Sequence, residues 1–153
     1  MKMKNGEIVE HLNRLDAFQV REREFRAQHG ENLLRGRVKI GYAIEKNKYE
    51  LRRQLEPYNK TLEALVKEYR DTEAEQDAIK AEQELAQKEG RAERGVSIIM
   101  REGMNREEYL RKLNELQELE IEVEGIHTVN ISEFDGLNLD SSELRPFLFM
   151  LEE

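Results

Sequence analysis

The feature that most constrains this chain is a run of apolar residues at Ile44, Leu51, Leu55, Tyr58, Leu62, Leu65 and Tyr69. Their separations of 7, 4, 3, 4, 3 and 4 residues hold them on one side of a helix, the pattern of a helix that packs lengthwise on a neighbour. Pro57 lies within the run. Proline removes a backbone donor and clashes with the preceding turn, at about 3 kcal/mol in a helix interior, so one bent helix is expected from Val38 to about Lys88, kinked between Gln54 and Pro57. Beyond Tyr69 the same register meets Thr72, Gln76, Ile79, Gln83 and Ala86. The seam turns polar while helix formers remain abundant, so residues 70–95 are expected to form a projecting or mobile helical extension.

The flanking segments supply what the seam packs against. MKMK is expected as a short strand, and Asn5 as the cap of a helix over 6–28 whose face is Ile8, Leu12, Leu15 and Phe18, closed by Gly30. Val96, Ile98 and Met100 alternate as in a strand over 96–101. Asn105 with Glu108 three residues on starts a helix to 118, with Tyr109, Leu110, Leu113, Leu116 and Leu119 as its buried side. Within 119–131, Ile121 and Val123 share one parity, Val129 and Ile131 the other, and Gly125 marks a bulge or tight hairpin between them. Asp140 caps a last helix over 141–151 carrying Leu144, Phe147, Leu148 and Leu151, with Pro146 near its start. The expected fold is therefore α+β and helix-dominated: a long bent helix packed with shorter helices and a small antiparallel sheet built from the N-terminus, 96–101 and 119–131.

Length fits one domain, 1–153, since a second independent core is not expected at this size. Hydrophobic residues at 38% fall below the usual 45–50% or so, and charged residues at 38% exceed the usual quarter or so. The buried set is thin, which favours a slender shape or burial shared with a partner. Charge is unevenly placed: residues 1–56 carry 13 Lys/Arg against 9 Asp/Glu, while residues 57–153 carry 12 against 24. Such a polarised field can steer a charged partner. There is no cysteine, which excludes disulfides and thiolate chemistry and suits a reducing cytoplasm. The opening MKMKNGEIVEHL has no apolar core of signal-peptide length, and no run approaches the roughly 18 apolar residues of a membrane span, so neither secretion nor membrane insertion is expected.

No constellation in the sequence carries catalysis. His11, His29 and His127 are scattered, and only Glu7 stands one turn from His11, a pairing typical of surface contacts. Asp135, Asn138, Asp140 and Glu143 near Gly136 do not keep the spacing of a twelve-residue calcium loop and read as turn and cap residues. GENLLRGR from Gly30 has the wrong interval for a phosphate loop, and no nucleophile elbow, HExxH or dinucleotide fingerprint occurs. No cofactor and no metal are expected, and the protein is not expected to be an enzyme. Arg21, Arg23, Arg26, Arg35, Arg37 and Lys39 with Phe18 and Phe25 form a basic stretch, but Glu22, Glu24 and Glu31 dilute its field, so nucleic acid is not an expected partner.

Three blocks, MKMKNGEIVEHLNRL, VKIGYAIEKNKYELRRQLEPYNKTLEALVKEY and LNELQELEIEVEGIHTVNISEF with the closing LRPFLFMLEE, resemble in order and spacing a family of small proteins of unknown function encoded by tailed phages and prophages of Gram-positive bacteria. The resemblance covers somewhat over half the chain, and Tyr42, Ala43 and Ile44 with Glu56, Pro57 and Tyr58 are its most specific residues. It implies a phage setting and brings no active site. The expected role is that of a non-enzymatic phage accessory protein that binds itself, a virion protein or a host protein, in the host cytoplasm or on the virion. An alternative is an inhibitor of a host defence or nucleic-acid enzyme that works through its acidic surface. Where the seam fades and the charges cluster, the candidate partner contacts are Arg21, Arg23, Phe25, Arg26, Glu73, Glu75, Asp77, Ile79, Glu82 and Glu84.

Overall fold

The computed structural model describes residues 1–153, and helix accounts for 66% of them, so the protein is a helix-dominated α+β fold. The elements run β1 (Lys2–Lys4), α1 (Asn5–His29), α2 (Val38–Gln54), α3 (Glu56–Tyr69), α4 (Thr72–Glu89), α5 (Arg106–Glu118), β2 (Glu120–Glu122), β3 (Val129–Asn130), α6 (Ser141–Leu144) and β4 (Leu151–Glu152). Short 3-10 segments cover Ile131–Phe134 and Arg145–Met150. The sequence is read above as one domain; its contacts cluster into two compact units, one formed by residues 1–56 and 117–153, the other by 57–116.

The first unit is built on α1 and α2. The expected stripe of α1 is its buried face, with Ile8, Leu12, Leu15 and Phe18 all in the interior. Gly30 ends the helix at φ 69°, a left-handed conformation that costs glycine little, and its N–H returns to Arg26 O at 2.8 Å. On α2 the buried side is Ile40, Ala43, Ile44, Asn47 and Leu51. Phe147 sits at the centre, edge-on to Phe18 at 4.8 Å and tilted against Phe134 at 5.1 Å, with Val129 and Met150 beside it. Lys48, itself buried, crosses from α2 to Asp16 of α1 at 2.6 Å and holds that carboxyl below its usual range.

The acidic end of the chain folds back on the basic beginning. β2 pairs antiparallel with β1, Met3 opposite Ile121, and the register continues as Asn5 N–H donates to Leu119 O at 3.0 Å. Asn5 is therefore the first residue of α1 and not its cap; Lys4 takes that place, its N–H donating to Glu7 Oε2 at 2.7 Å. Ion pairs join the same two parts: the Met1 amine with Glu122 at 2.7 Å, Lys4 with Glu118, Arg21 with Glu143 and Lys39 with Glu133. Residues 117–153 hold 10 Asp/Glu against 1 Lys/Arg, so much of the charge polarity of the sequence is complementary within one unit.

Two amide side chains of α2 grip the segment that links the sheets. Asn47, wholly buried, donates from Nδ2 to His127 O at 2.9 Å and accepts at Oδ1 from His127 N–H at 2.7 Å. Two turns later Gln54 repeats the arrangement on Glu124, donating to its O at 2.7 Å and accepting from its N–H at 3.1 Å. Each amide does for one residue what a neighbouring strand would do. Gly125 turns between them at φ 74°, where an added Cβ would meet Glu50 Cδ at 3.3 Å. The expected bulge or hairpin is thus neither: Gly125 carries the chain from β2 to β3, which pairs parallel with β4 in a separate two-stranded sheet. Ile131 starts a 3-10 turn and stays exposed, because that turn abandons the strand alternation.

The final helix is also shorter than expected. Asp140 caps it, accepting from Glu143 N–H at 2.9 Å, but α6 covers only Ser141–Leu144 before Pro146 and the 3-10 segment. A threefold repeat buries Phe147 and Met150 and turns Leu148 outward, where an α-helix would have turned it in.

The expected bent helix is realised as segments. α2 gives way to α3 at Leu55, two residues before Pro57; α3 ends at Tyr69, and Asp71 then caps α4 by accepting from Ala74 N–H at 2.9 Å. Asp71 N–H also donates to Ile99 O, and Arg101 N–H to Tyr69 O, both at 2.8 Å. This isolated bridge between Arg70 and Met100 is all that forms of the strand expected over 96–101, since no other strand belongs to the second unit. Tyr69 and Tyr109 pack at 5.8 Å between centroids, and Tyr69 Oη donates to Glu108 Oε1 at 2.9 Å. Of the expected inner face of α5, Tyr109 and Leu116 are buried and Leu113 partly so, while Leu110 is exposed, as is Leu119 just beyond the helix. Within 70–95, Glu75 and Ala86 are buried and Glu82 is clasped by Arg91.

Candidate functional site

Helix α2 presents apolar side chains on two opposite faces, and only one of them is covered. Val38, Tyr42 and Tyr49, separated by 4 and 7 residues, share the side away from Ile40, Ile44 and Leu51. They are 81%, 58% and 63% exposed. Tyr42 stands edge-on to His127 at 5.1 Å, so the outer face continues onto the segment gripped by Asn47.

Charges flank this face in fixed positions. Glu50 accepts from Lys46 Nζ at 3.0 Å and from Arg53 Nη2 at 2.9 Å and Nε at 3.1 Å. Those bonds, Lys46 first, hold its carboxyl below the usual range, and they raise Lys46 and Arg53 in turn. Lys46 Nζ also lies 5.9 Å from the Tyr49 ring centroid. The surroundings of the two tyrosines are therefore ordered by ion pairs, and each ring offers an apolar face with a polar tip, a combination enriched at protein interfaces.

The sequence-selected contacts fall elsewhere. Arg21, Arg23 and Arg26 are exposed on α1; Arg21 pairs with Glu143 at 3.2 Å and Arg26 with Glu22 at 3.6 Å. Phe25 is partly buried against the first unit's core, with its ring 4.4 Å from that of His29. On α4, in the other unit, Glu73, Asp77 and Glu84 are exposed and Ile79 is partly buried. Glu75 is buried, with Arg70 Nη2 donating at 2.6 Å and Nε at 3.2 Å to both oxygens. Glu82 accepts from Arg91 Nη1 at 2.6 Å and from Arg94 N–H at 2.9 Å, which pulls its carboxyl down to about 2. Two of the five acidic candidates therefore serve the unit's own structure.

The outer face of α2 was open to detection, since Val38, Tyr42 and Tyr49 fall at helical spacing; the competing stripe from Ile44 to Tyr69 masked it. The three histidines stay apart: His11 stacks on Phe149 at 4.4 Å with Nδ1 buried and unpartnered, and burial lowers its pKa. Of the residues weighed against a calcium loop, Asp140 is a cap, Glu143 Oε1 accepts from Arg21, and the backbone O of Asp135 accepts from Arg37 Nη2 at 2.8 Å. No group of three or more His, Cys, Asp or Glu side chains converges as a metal site would, and no helix is long and apolar enough to cross a membrane. Comparison with models of known families, with curated proteins and with solved structures finds no match to this chain.

Proposed function

We propose that this protein acts without catalysis, by binding another protein through the outer face of α2, in the setting of a tailed phage or prophage of a Gram-positive host. The observation that carries the reading is the exposure of Val38, Tyr42 and Tyr49 on the side of α2 opposite its buried stripe. A helix needs one apolar face to dock on its own core; a second, ringed by ordered ion pairs, is what a partner's groove would take up. The resemblance of the VKIGYAIEKNKYELRRQLEPYNKTLEALVKEY block to small phage proteins supplies the setting, and the partner is a virion protein, a host protein or a second copy of the chain. The rival reading, inhibition through an acidic surface, is weakened because Glu75 and Glu82 are engaged internally.

The test is a pair of capture experiments from cells in which the phage or prophage is active, using the wild-type protein and a Tyr42→Glu/Tyr49→Glu variant, with light scattering for self-association. The wild type is expected to retain a defined partner or to dimerise, and the variant to lose it while keeping its thermal midpoint. Strict monomers that capture nothing, or a variant that captures the same set, would sink the proposal.

A further inference from the structure

A second feature, independent of the α2 face, lies between α1 and the C-terminal turn: a cavity of about 200 Å³ whose lining includes Arg14, Phe18, Arg21, Glu143, Arg145 and Pro146. Its chemistry is divided. Phe18 and Pro146, both buried, give it an apolar floor, and three guanidinium groups border it. Arg14 is bound to Glu10 and Arg21 to Glu143, while Arg145 makes no ion pair and is exposed. Glu143 is only 9% exposed, yet one of its oxygens, Oε2, is buried with no donor. A carboxylate withdrawn from water in that way calls for a further hydrogen-bond donor, and a cationic donor answers its charge as well.

The Arg21–Glu143 pair is lopsided: its distance is 3.2 Å, and the arginine side chain is 56% exposed against 9% for the glutamate. Such a pair can open by motion of the arginine alone. A molecule entering between them must then present an anion to Arg21 and the unpaired Arg145, a cation to Glu143, and an apolar group to Phe18 and Pro146. At about 200 Å³ the space is below the roughly 300 to 1,000 Å³ of drug-sized sites, a size that suits a molecule no larger than an amino acid.

We propose that this cavity binds a small zwitterion of the α-amino-acid type with an apolar side chain, its ammonium on Glu143, its carboxylate on Arg21 and Arg145, and its side chain over Phe18 and Pro146. The probe is free L-leucine, followed by amide NMR of the full chain, with L-leucinamide lacking the carboxylate and N-acetyl-L-leucine lacking the ammonium. Leucine is expected to shift the resonances of residues 14–21 and 142–146, and each analogue to bind at least tenfold more weakly. Arg145→Ala, an exposed position, is expected to weaken leucine tenfold without altering the fold, and Glu143→Gln to abolish binding. The assignment is overturned if leucine, methionine and phenylalanine leave the spectrum unchanged at millimolar concentration, if N-acetyl-leucine binds as well as leucine, or if Arg145→Ala has no effect.

Discussion

Replacing Asn47 by alanine should destabilise the first unit far more than replacing Gln54 by alanine, although the two side chains make the same pair of bonds. Both are amides on one face of α2, and each engages the N–H and the O of a single residue, His127 or Glu124. Burial separates them: Asn47 is wholly inside and also touches Met150 Sδ at 3.1 Å, whereas the bonds of Gln54 lie at the exposed surface. Removing Gln54 lets water replace both bonds, so the expected cost is about 0 to 1 kcal/mol. Removing Asn47 forfeits two bonds at roughly 1 kcal/mol each and leaves the His127 backbone groups poorly solvated beside a new void, for a total of about 2 to 4 kcal/mol. Urea unfolding followed by circular dichroism at 222 nm measures both values, since the chain has no tryptophan to report. Equal losses for the two variants, or a loss below about 1 kcal/mol for Asn47→Ala, would refute the view that buried amides replace a strand here.

Three further outcomes follow from the geometry. Glu75→Ala strips buried Glu75 from Arg70 and should cost about 2 to 3 kcal/mol by urea unfolding, against at most about 0.5 kcal/mol for its exposed neighbour Glu73→Ala; equal effects would show that the pair contributes nothing. Glu82, drawn down to about 2 by Arg91 and Arg94, supports the fold fully above its ordinary value of 4.5, and that support is lost as the pH falls from there toward 2. Its carboxyl carbon should titrate well below the usual range and cleavage within residues 91–99 should rise over that window, whereas an ordinary midpoint would contradict the clasp. Gly125→Ala should cost about 2 kcal/mol or more, combining left-handed strain with contact on Glu50, and Gly30→Ala, at φ 69° with open space around it, about 1 kcal/mol; the reverse order in thermal unfolding would exclude the contact.

The parts of this fold that were legible in sequence are those where one physical rule acts alone. The α1 stripe from Ile8 to Phe18 and the stop at Gly30 need only helical periodicity and the left-handed freedom of glycine. Ile44, Leu51, Leu55, Tyr58 and Tyr69 are buried as their spacing demands, but the spacing gave no sign that Asp71 would cap a new helix, because a heptad pattern runs on across a break. Asn47 and Gln54 carry no signal in the sequence, since the partner of each amide lies 80 or 70 residues away in the chain. Leu148 and Ile131 were assigned inward by periodicities that a 3-10 turn does not share. The candidate site was missed for a related reason: exposed Val38, Tyr42 and Tyr49 break the rule that an amphipathic helix has one apolar side.

The division of the chain also fixes an order of events during synthesis. Residues 57–116 form an uninterrupted unit, while the unit that begins at Met1 is completed only by residues 117–153. On a ribosome adding roughly 5 to 20 residues per second, α1 and α2 emerge first and wait several seconds for Val129, Phe134, Phe147 and Met150 to arrive. During that interval the inner sides of α1 and α2 have only each other, and the middle unit is free to fold ahead of the one that started the chain. The nascent protein is thus most exposed to aggregation or chaperone capture until residues 117–153 have been added, and a stop before them would leave the inner sides of α1 and α2 without Val129, Phe134, Phe147 and Met150.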